Sequence, residues 1–195
     1  MTRLVQKKIG FVRTLLVLFV MATITTNRAL ADTPAINVAV SKHGDHIGID
    51  VDFYVEVPVQ QAWQVLTDFD RMSEFISGLQ SSRIMQRNGT RWQVAQAGAA
   101  RRGPLSFKFD SIREIALVPL ERITSRQVSG SMKEFEAITR LSAEGDGTHI
   151  RYHADSVPNT FVPPIIGPAF IETETRHQFD EMRAEMLRRH ASGSR

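Results

Sequence analysis

Hydrophobic and polar residues alternate along segment 47–57, IGIDVDFYVEV. The apolar side chains occupy the odd-numbered positions, and Asp50, Asp52 and Glu56 lie between them. A period of two residues is typical of a β-strand with one face in the core and the other in water. Pro58 ends this strand and can begin a helix, because a proline at the first helical position gives up no hydrogen bond. The pattern therefore predicts a strand that runs directly into a helix.

Segment 59–69 changes to helical spacing. Its apolar side chains form one stripe, which consists of Ala62, Trp63, Leu66 and Phe69. Such a stripe is typical of an amphipathic helix that covers a core. A second short helical turn is predicted over residues 72–76. The first strand is thus followed by two short helices.

The middle of the chain reads as a series of antiparallel strands. Segments 79–87 and 91–97 flank Asn88-Gly89, a dipeptide that favours a two-residue type I′ hairpin turn. Further alternating segments begin at residues 105, 122, 135 and 149. These segments predict a meander of about six strands, and segment 36–40 is expected to add an edge strand.

The C-terminal part of the domain is predicted to be one long helix over residues 169–190, preceded by a proline-broken apolar loop at 159–168. One face of this helix carries Ile171, Thr175, Phe179, Met182 and Met186 at helical spacing. That face should lie on the sheet. The order of elements predicts an α+β domain with helices on one side of a curved antiparallel sheet.

The N-terminal residues 1–31 have the layout of a secretory signal peptide. Basic residues precede an uncharged apolar run at 15–24, and Ala29-Leu30-Ala31 offers a cleavage site. The run is shorter than the roughly 20 apolar residues that span a membrane. We therefore expect a periplasmic or secreted protein, with a membrane-anchored protein that retains this segment as the alternative.

Removal of the signal segment would change the charge of the chain. The full sequence carries a formal charge of +3, but five of its 24 basic residues and none of its 21 acidic residues lie in segment 1–31. The remaining chain has 19 basic and 21 acidic residues, so its charge is −2. This excess of acid gives no electrostatic reason to bind nucleic acid. Cysteine is absent, so an exported form would depend on its core rather than on disulfides.

No group of residues in the sequence predicts catalysis, a metal site or a cofactor. There is no cysteine nucleophile, glycine-rich phosphate loop or His-Glu-x-x-His motif. His149 and His153 should share the outer face of a strand about 13 Å apart, which is too far for one metal ion. The segment 43–46, HGDH, reads as a solvated turn.

Three polar residues are candidates for contacts with a ligand or partner. Arg101 and Arg102 are predicted in a loop between strands, where they would meet an anionic head group or a membrane surface, or simply be solvated. His177 has Asp180 and Glu181 one helical turn on, as either an acid/base pair or a surface pair.

Several short segments along the domain carry a resemblance to a known family. They are VPV at 57–59, AW at 62–63, LTDF at 66–69, FISGL at 75–79, Phe135-Glu136 and the turn GDGT at 145–148. They resemble the START-like, polyketide cyclase/dehydrase (SRPBCC) superfamily, and within it the coenzyme-Q-binding START branch. The resemblance covers about residues 47–190, preceded by a leader at 32–46 and followed by a tail at 191–195. Ser77 departs from it, because these sequences often have proline there.

The resemblance implies a helix-grip fold, in which six to seven strands wrap around the long C-terminal helix and leave a cavity for an apolar or amphipathic ligand. Candidate lining residues are Phe53, Trp92, Val94, Phe107, Phe109, Phe135, Tyr152, Ile171, Phe179 and Met182. Aromatic and methionine side chains at these spacings are equally typical of a closed core.

Three functions are consistent with these observations. The first is an exported, non-enzymatic protein that binds or transports a lipid, quinone or polyketide-like molecule, with transient membrane contact as an option. The second is an aromatase/cyclase-like enzyme, which needs a buried ionisable group in the cavity, with Tyr152 or His177 as candidates. The third is a protein-interaction module with a solid core, which would use the Arg101 loop or the His43 region.

Overall fold

Antiparallel pairing joins the strands of the protein into one sheet. The computed structural model describes residues 35–102, 105–159 and 167–193, so the predicted signal peptide lies outside the described residues. In this part of the chain the sheet has eight strands in the order β1-β2-β8-β7-β6-β5-β4-β3. They are β1 (Asn37–His43), β2 (His46–Val55), β3 (Leu79–Asn88), β4 (Arg91–Arg102), β5 (Leu105–Val118), β6 (Arg122–Gly130), β7 (Met132–Glu144) and β8 (Gly147–Pro158).

The helices lie where the apolar spacing predicts them. α1 (Val59–Leu66) follows Pro58, a 3₁₀ turn (Phe69–Arg71) leads into α2 (Met72–Phe75), and α3 (Pro168–Gly193) ends the described chain. The predicted α+β architecture is confirmed. The sheet has eight strands, where six to seven were expected, and its edge strand β1 lies where segment 36–40 predicted one and pairs with β2 along its whole length. None of the helices in the described residues is long and apolar enough to cross a membrane.

Three hairpin turns have the same backbone conformation at their first residue. β1–β2, β3–β4 and β7–β8 are each closed by two residues, of which the first is a glycine with positive φ: Gly44 at 64°, Gly89 at 54° and Gly145 at 55°. The β3–β4 hairpin is where the sequence predicts it. Its turn type was predicted wrongly, because Asn88 belongs to β3 and the turn residues are Gly89 and Thr90. Positive φ at the first turn residue alone is the pattern of a type II′ turn.

A single hydrophobic core lies between the concave face of the sheet and the helices. α3 packs against β1, β2 and α1, so it covers one end of the sheet. Phe179 is central to this contact: its ring centroid is 5.8 Å from that of Phe53 in an edge-to-face arrangement and 5.2 Å from that of Tyr152. The core also includes Val51, Val55, Ala62, Val65, Leu66, Val94, Ile115, Ile150, Met182 and Met186.

An ionic network holds the end of α3 against the short helices. Glu185 accepts hydrogen bonds from Arg188 and from Arg189, whose guanidinium also lies 2.8 Å from the carboxylate of Asp68. The hydrogen bond from Arg188 is the main cause that lowers the pKa of Glu185 to about 2, although burial acts in the opposite direction. Arg189 also lies 5.5 Å from the ring centroid of Phe75. These contacts tie α3 to the residues that follow α1 and to α2.

A close backbone approach fixes the loop between α2 and β3. A Cβ atom on Gly98 would lie 2.2 Å from the carbonyl oxygen of Gly78 and 2.7 Å from the ring of Phe109. The N–H of Ala99 donates to the same Gly78 carbonyl at 3.0 Å. Glycine is needed at position 98 because no side chain fits there. The loop is thereby held against β4, beside the concave face.

Candidate ligand-binding site

Polar side chains lie side by side on the concave face of the sheet, on its neighbouring strands β3, β4 and β5. The register pairs Gln96 of β4 with Ser82 of β3 and with Ser111 of β5. Arg113 lies two residues before Ile115, which is 1% exposed, and residues two apart in a strand face the same side. Arg113 therefore points into the fold.

Arg113 occupies an unusual environment for a charged residue. Its Nη2 donates to the side-chain oxygen of Gln96, and its guanidinium lies 5.8 Å from the ring centroid of Phe135. Its Nε is buried and has no hydrogen-bond partner. Among the described residues no carboxylate forms an ion pair with it. Burial lowers the pKa of Arg113, but a guanidinium remains protonated in proteins.

Gln96 is held in place from its other side. Its Nε2 donates to the hydroxyl of Ser82 at 2.9 Å and lies 3.3 Å from the sulfur of Met72. Because these contacts occupy the amide nitrogen, the amide oxygen is directed at Arg113. The guanidinium is therefore positioned by a defined chain of contacts.

Tyr152 of β8 is the second ionisable group on the concave face. Burial raises the pKa of its hydroxyl to about 12, and the nearby charge of Arg113 opposes this shift. A phenol with this pKa is protonated at neutral pH and acts as a hydrogen-bond donor rather than a base. Arg113 and Tyr152 thus offer donors to a ligand.

Burial divides the concave face into two regions. Around Phe53 and Phe179 the side chains are 2% and 5% exposed, and the core is closed. The middle strands keep partly accessible side chains on the same face; these are Phe109, Ser111, Arg113, Gln127, Phe135, Thr139 and Tyr152. The second region has the surface that a bound molecule can contact, since its side chains are not packed on every side.

The predicted lining residues are distributed over both regions. Phe53, Val94, Phe179 and Met182 are buried in the core cluster, whereas Trp92, Phe109 and Tyr152 are partly buried and pack against it. Phe135 is partly buried beside Arg113, and Ile171 is partly buried near the start of α3. The side chain of Phe107 lies outside the described residues.

Two of the three polar candidates are placed by the structure away from their predicted surroundings. Arg101 and Arg102 do not form a loop: their backbone ends β4 and pairs with residues 106 and 105 of β5. His177 is largely exposed on α3, where its Nε2 lies 3.2 Å from Glu181 and 3.4 Å from the hydroxyl of Ser77. The same nitrogen faces both partners, whereas a Ser-His-acid relay requires two different ring nitrogens.

The outer face of the sheet carries His149 and His153, as predicted. His153 lies between Asp50 at 2.7 Å and Asp155 at 2.9 Å, and hydrogen bonds to these carboxylates raise its pKa. His149 lies 3.0 Å from Asp52. The described residues contain no cluster of His, Asp or Glu suited to a metal ion. An open groove of about 530 Å³ crosses this region, with Asp50, Asp52, Arg140, Arg151, His153 and Arg176 among its lining residues.

An antiparallel sheet whose concave face combines aromatic side chains with a few convergent donors defines a class of proteins that bind small molecules. Residues 55–183 match the model of the family described as "Polyketide cyclase / dehydrase and lipid transport". The chain belongs to this family, which confirms the resemblance to the polyketide cyclase/dehydrase superfamily. The assignment to its coenzyme-Q-binding branch stays a prediction. A search of curated protein sequences gives no significant match.

Solved structures with a similar fold are numerous but distant in sequence. The STAR-related lipid transfer protein from Xanthomonas axonopodis (fragment 25–204) has a TM-score of 0.64 at 9% identity, covering 78% of this chain and 99% of that one. The Zhui aromatase/cyclase from Streptomyces sp. R1128 has a TM-score of 0.62 at 14% identity, covering 74% and 95%. A START superfamily protein from Mycobacterium smegmatis has a TM-score of 0.60 at 14% identity, covering 72% and 97%. At these identities the likeness shows the fold alone.

Arg113 and Gln96 were not identified from the sequence. The signal that identifies them is the alternation of β5: extending it from Phe109 to the apolar Ile115 places Arg113 on the inner face. The same extension from Val94 places Gln96 beside it. Both residues were passed over because a polar side chain in an alternating segment is normally assigned to water.

Proposed function

We propose that this protein is exported and that it binds or carries an apolar or amphipathic small molecule without transforming it. Membership of a family described by polyketide cyclisation and lipid transport supports a hydrophobic ligand. The observation that carries the proposal is the partly accessible concave region, in which aromatic side chains surround the donors of Arg113 and Tyr152.

The protonation states of these groups favour binding over catalysis. A cyclase that moves protons requires a base within reach of its substrate. Tyr152, with its pKa near 12, and the charged Arg113 are both donors at neutral pH. The concave positions described above carry neither a carboxylate nor an imidazole. Such a set can orient a carbonyl or an anionic group, but it does not remove a proton.

An aromatase/cyclase-like enzyme is the second candidate. It is favoured by the position of Tyr152 on the concave face and by the similarity in fold to the Zhui aromatase/cyclase. In that case the substrate itself would have to supply the acidic proton and solvent the base. Turnover of a reactive polyketide chain by the purified protein, lost in Tyr152→Phe, would support this candidate over the first.

The binding proposal can be tested by filling the concave region. Thr139 is partly buried on this face, whereas Ser142 is exposed on the outer face of the same strand. We expect Thr139→Phe to fold, as judged by circular dichroism, but to lose the small molecule found by native mass spectrometry and extraction of the protein from its own host. Ser142→Phe should retain it.

Two outcomes would contradict the proposal. If Thr139→Phe folds and carries the same molecule in the same amount, the ligand does not occupy the concave region. If wild-type protein contains no small molecule and does not bind a neutral apolar fluorophore such as Nile red, the protein is not a hydrophobic ligand carrier. A solid interaction module would give this second result.

Export has its own test. The proposal predicts that the protein recovered from the host begins near residue 32 and is released with the periplasmic or secreted fraction. Intact mass of the recovered chain distinguishes this from the membrane-anchored alternative, in which residues 1–31 remain attached. A full-length chain in the cytoplasmic fraction would exclude both.

A further inference from the structure

We propose that the molecule bound on the concave face carries a single carboxylate, which pairs with Arg113 while its apolar part lies along the aromatic side chains. This inference rests on the proposed function and specifies the chemical class of its ligand. It starts from the fact that a charged group inside a protein is costly unless it is paired.

Arg113 differs from the half-buried arginines of α3. Arg189 is paired with Asp68 and Glu185, Arg176 with Glu172, and Arg183 with Asp180. Arg113 instead meets a neutral amide and the face of an aromatic ring. Segments outside the described residues contain one acidic side chain, that of Asp32. The fold therefore leaves this charge largely uncompensated by its own side chains.

The geometry of the guanidinium indicates which group would complete it. Nη2 is engaged by Gln96, whereas Nε is buried with no partner. A carboxylate binds an arginine through parallel N–H···O bonds along one planar edge of the guanidinium. The edge that contains Nε also contains Nη2, which has a second N–H besides the one that donates to Gln96. Tyr152 lies near enough to Arg113 for the charge of the guanidinium to act on its hydroxyl, and it adds a neutral donor.

Charge balance favours a carboxylate over a phosphate monoester. One carboxylate neutralises the single charge of Arg113, whereas a phosphate monoester carries about −1.5 to −2 at neutral pH and would leave net negative charge in a buried site. No second cation is described on the concave face beside Arg113. The remaining surroundings, Phe135 and Phe109, suit an aliphatic or aromatic chain.

Gln96 and Ser82 act as positioning residues in this site. The contact of the Gln96 nitrogen with Ser82 directs the amide oxygen to the guanidinium, which fixes the edge presented to the ligand. They would not touch the carboxylate. Their loss should weaken binding of acids while leaving the affinity for neutral chains unchanged.

The test compares three ligands of one chain length: dodecanoate, dodecanol and dodecyl phosphate, each measured by displacement of Nile red from the wild-type protein at pH 7.5. We expect dodecanoate to bind about 10- to 100-fold more tightly than dodecanol, which is the range for hydrogen bonds to a charged group. Arg113→Gln should abolish this ratio with little change for dodecanol, and Arg113→Lys should restore part of it.

Arg151→Gln is the matched control, because Arg151 lies on the outer face of β8 and should leave the ratio intact. If wild-type protein binds dodecanoate and dodecanol equally, the carboxylate inference is wrong but the carrier function stands. If dodecyl phosphate binds most tightly, the charge-balance argument is wrong. If Nile red binds but dodecanoate does not displace it, the carboxylate inference is wrong and the carrier function stands. If Nile red itself does not bind, the ligand-binding function fails. The comparison of wild-type affinities decides the matter even where an Arg113 variant does not fold.

Discussion

The contact of Phe179 with the sheet allows a quantitative test of where the core is closed. Phe179 is 5% exposed, and its ring touches those of Phe53 and Tyr152 at centroid distances of 5.8 and 5.2 Å. Truncating it to alanine removes most of a buried ring from a site enclosed by the sheet and the core. If Phe179 bordered an open ligand cavity, the same truncation would only enlarge that cavity.

The expected cost of Phe179→Ala is about 3 to 5 kcal/mol in the free energy of unfolding, the range for a buried phenylalanine. Each aromatic contact contributes roughly 0.5 to 1.5 kcal/mol of this through ring geometry. The unit Thr33–Arg195 is in the size range in which 1 kcal/mol shifts Tm by about 2 to 4 °C. The variant should therefore melt roughly 6 to 20 °C lower than the wild type.

Urea denaturation at pH 7, followed by tryptophan fluorescence and circular dichroism, measures this change. The control is Leu187→Ala, because Leu187 lies on the exposed side of the same helix with 37% exposure. It should lower the free energy of unfolding by well under 1 kcal/mol. A cycle with Phe53→Ala should show coupling between the two rings. If Phe179→Ala loses less than 1 kcal/mol in the free energy of unfolding, with an unchanged m-value, the core is not closed at this position. Phe179 would then line a ligand cavity.

Two further predictions concern the elements that hold the helices in place. Because hydrogen bonds from its two arginine neighbours lower the pKa of Glu185 from 4.5 to about 2, its contribution is complete above pH 4.5 and is lost as pH falls toward 2. Glu185→Gln should be less stable than wild type by roughly 2 to 3 kcal/mol at pH 7. The difference in urea midpoint between the two proteins should shrink as pH falls from 4.5 toward 2. A difference that stays constant would show that the ionised Glu185 carboxylate is not its cause. Gly98→Ala should destabilise by about 3 kcal/mol in thermal melts, because its Cβ meets the Gly78 carbonyl at 2.2 Å. Gly78→Ala, whose nearest contact is 4.0 Å away, should cost much less; equal losses would show that the close approach is not the cause.

The arrangement of strands and helices follows from simple periodicity in this sequence. Segment 47–57 alternates without interruption, and Pro58 marks the change to helical spacing, so β2 and α1 were predictable from a few residues. The glycines at 44, 89 and 145 likewise mark three turns. Periodicity did not predict the geometry of the β3–β4 turn. Asn88 could have entered the turn, but strand pairing extends through it and leaves Gly89 to take the positive φ.

The interior polar residues were the hardest part to predict. Binary patterning assigns each polar side chain to the solvent-exposed face of a strand. Arg113 instead lies on the inner face, because it shares that face of β5 with Phe109 and Ile115. The partners of Arg113 come from other strands: Gln96 lies on β4, where it pairs with Ser111, and Ser82 on β3 is 31 positions before Arg113 in the chain. A contact set of this kind depends on strand order and register, which a single sequence does not contain.

The same residues explain why the concave face favours binding over structure alone. A sheet that served only as a closed support would have no need of a charge at Arg113, since replacing buried charge by well-packed hydrophobic residues is often neutral or stabilising. Here the charge is instead contacted by the neutral amide of Gln96, and its Nε is buried without a hydrogen-bond partner. Tyr152 adds a hydroxyl whose pKa of about 12 keeps its proton in place. A fixed cation and a fixed donor among aromatic rings are suited to hold one polar end of an apolar molecule, and neither can act as the base that a proton-transfer reaction would need.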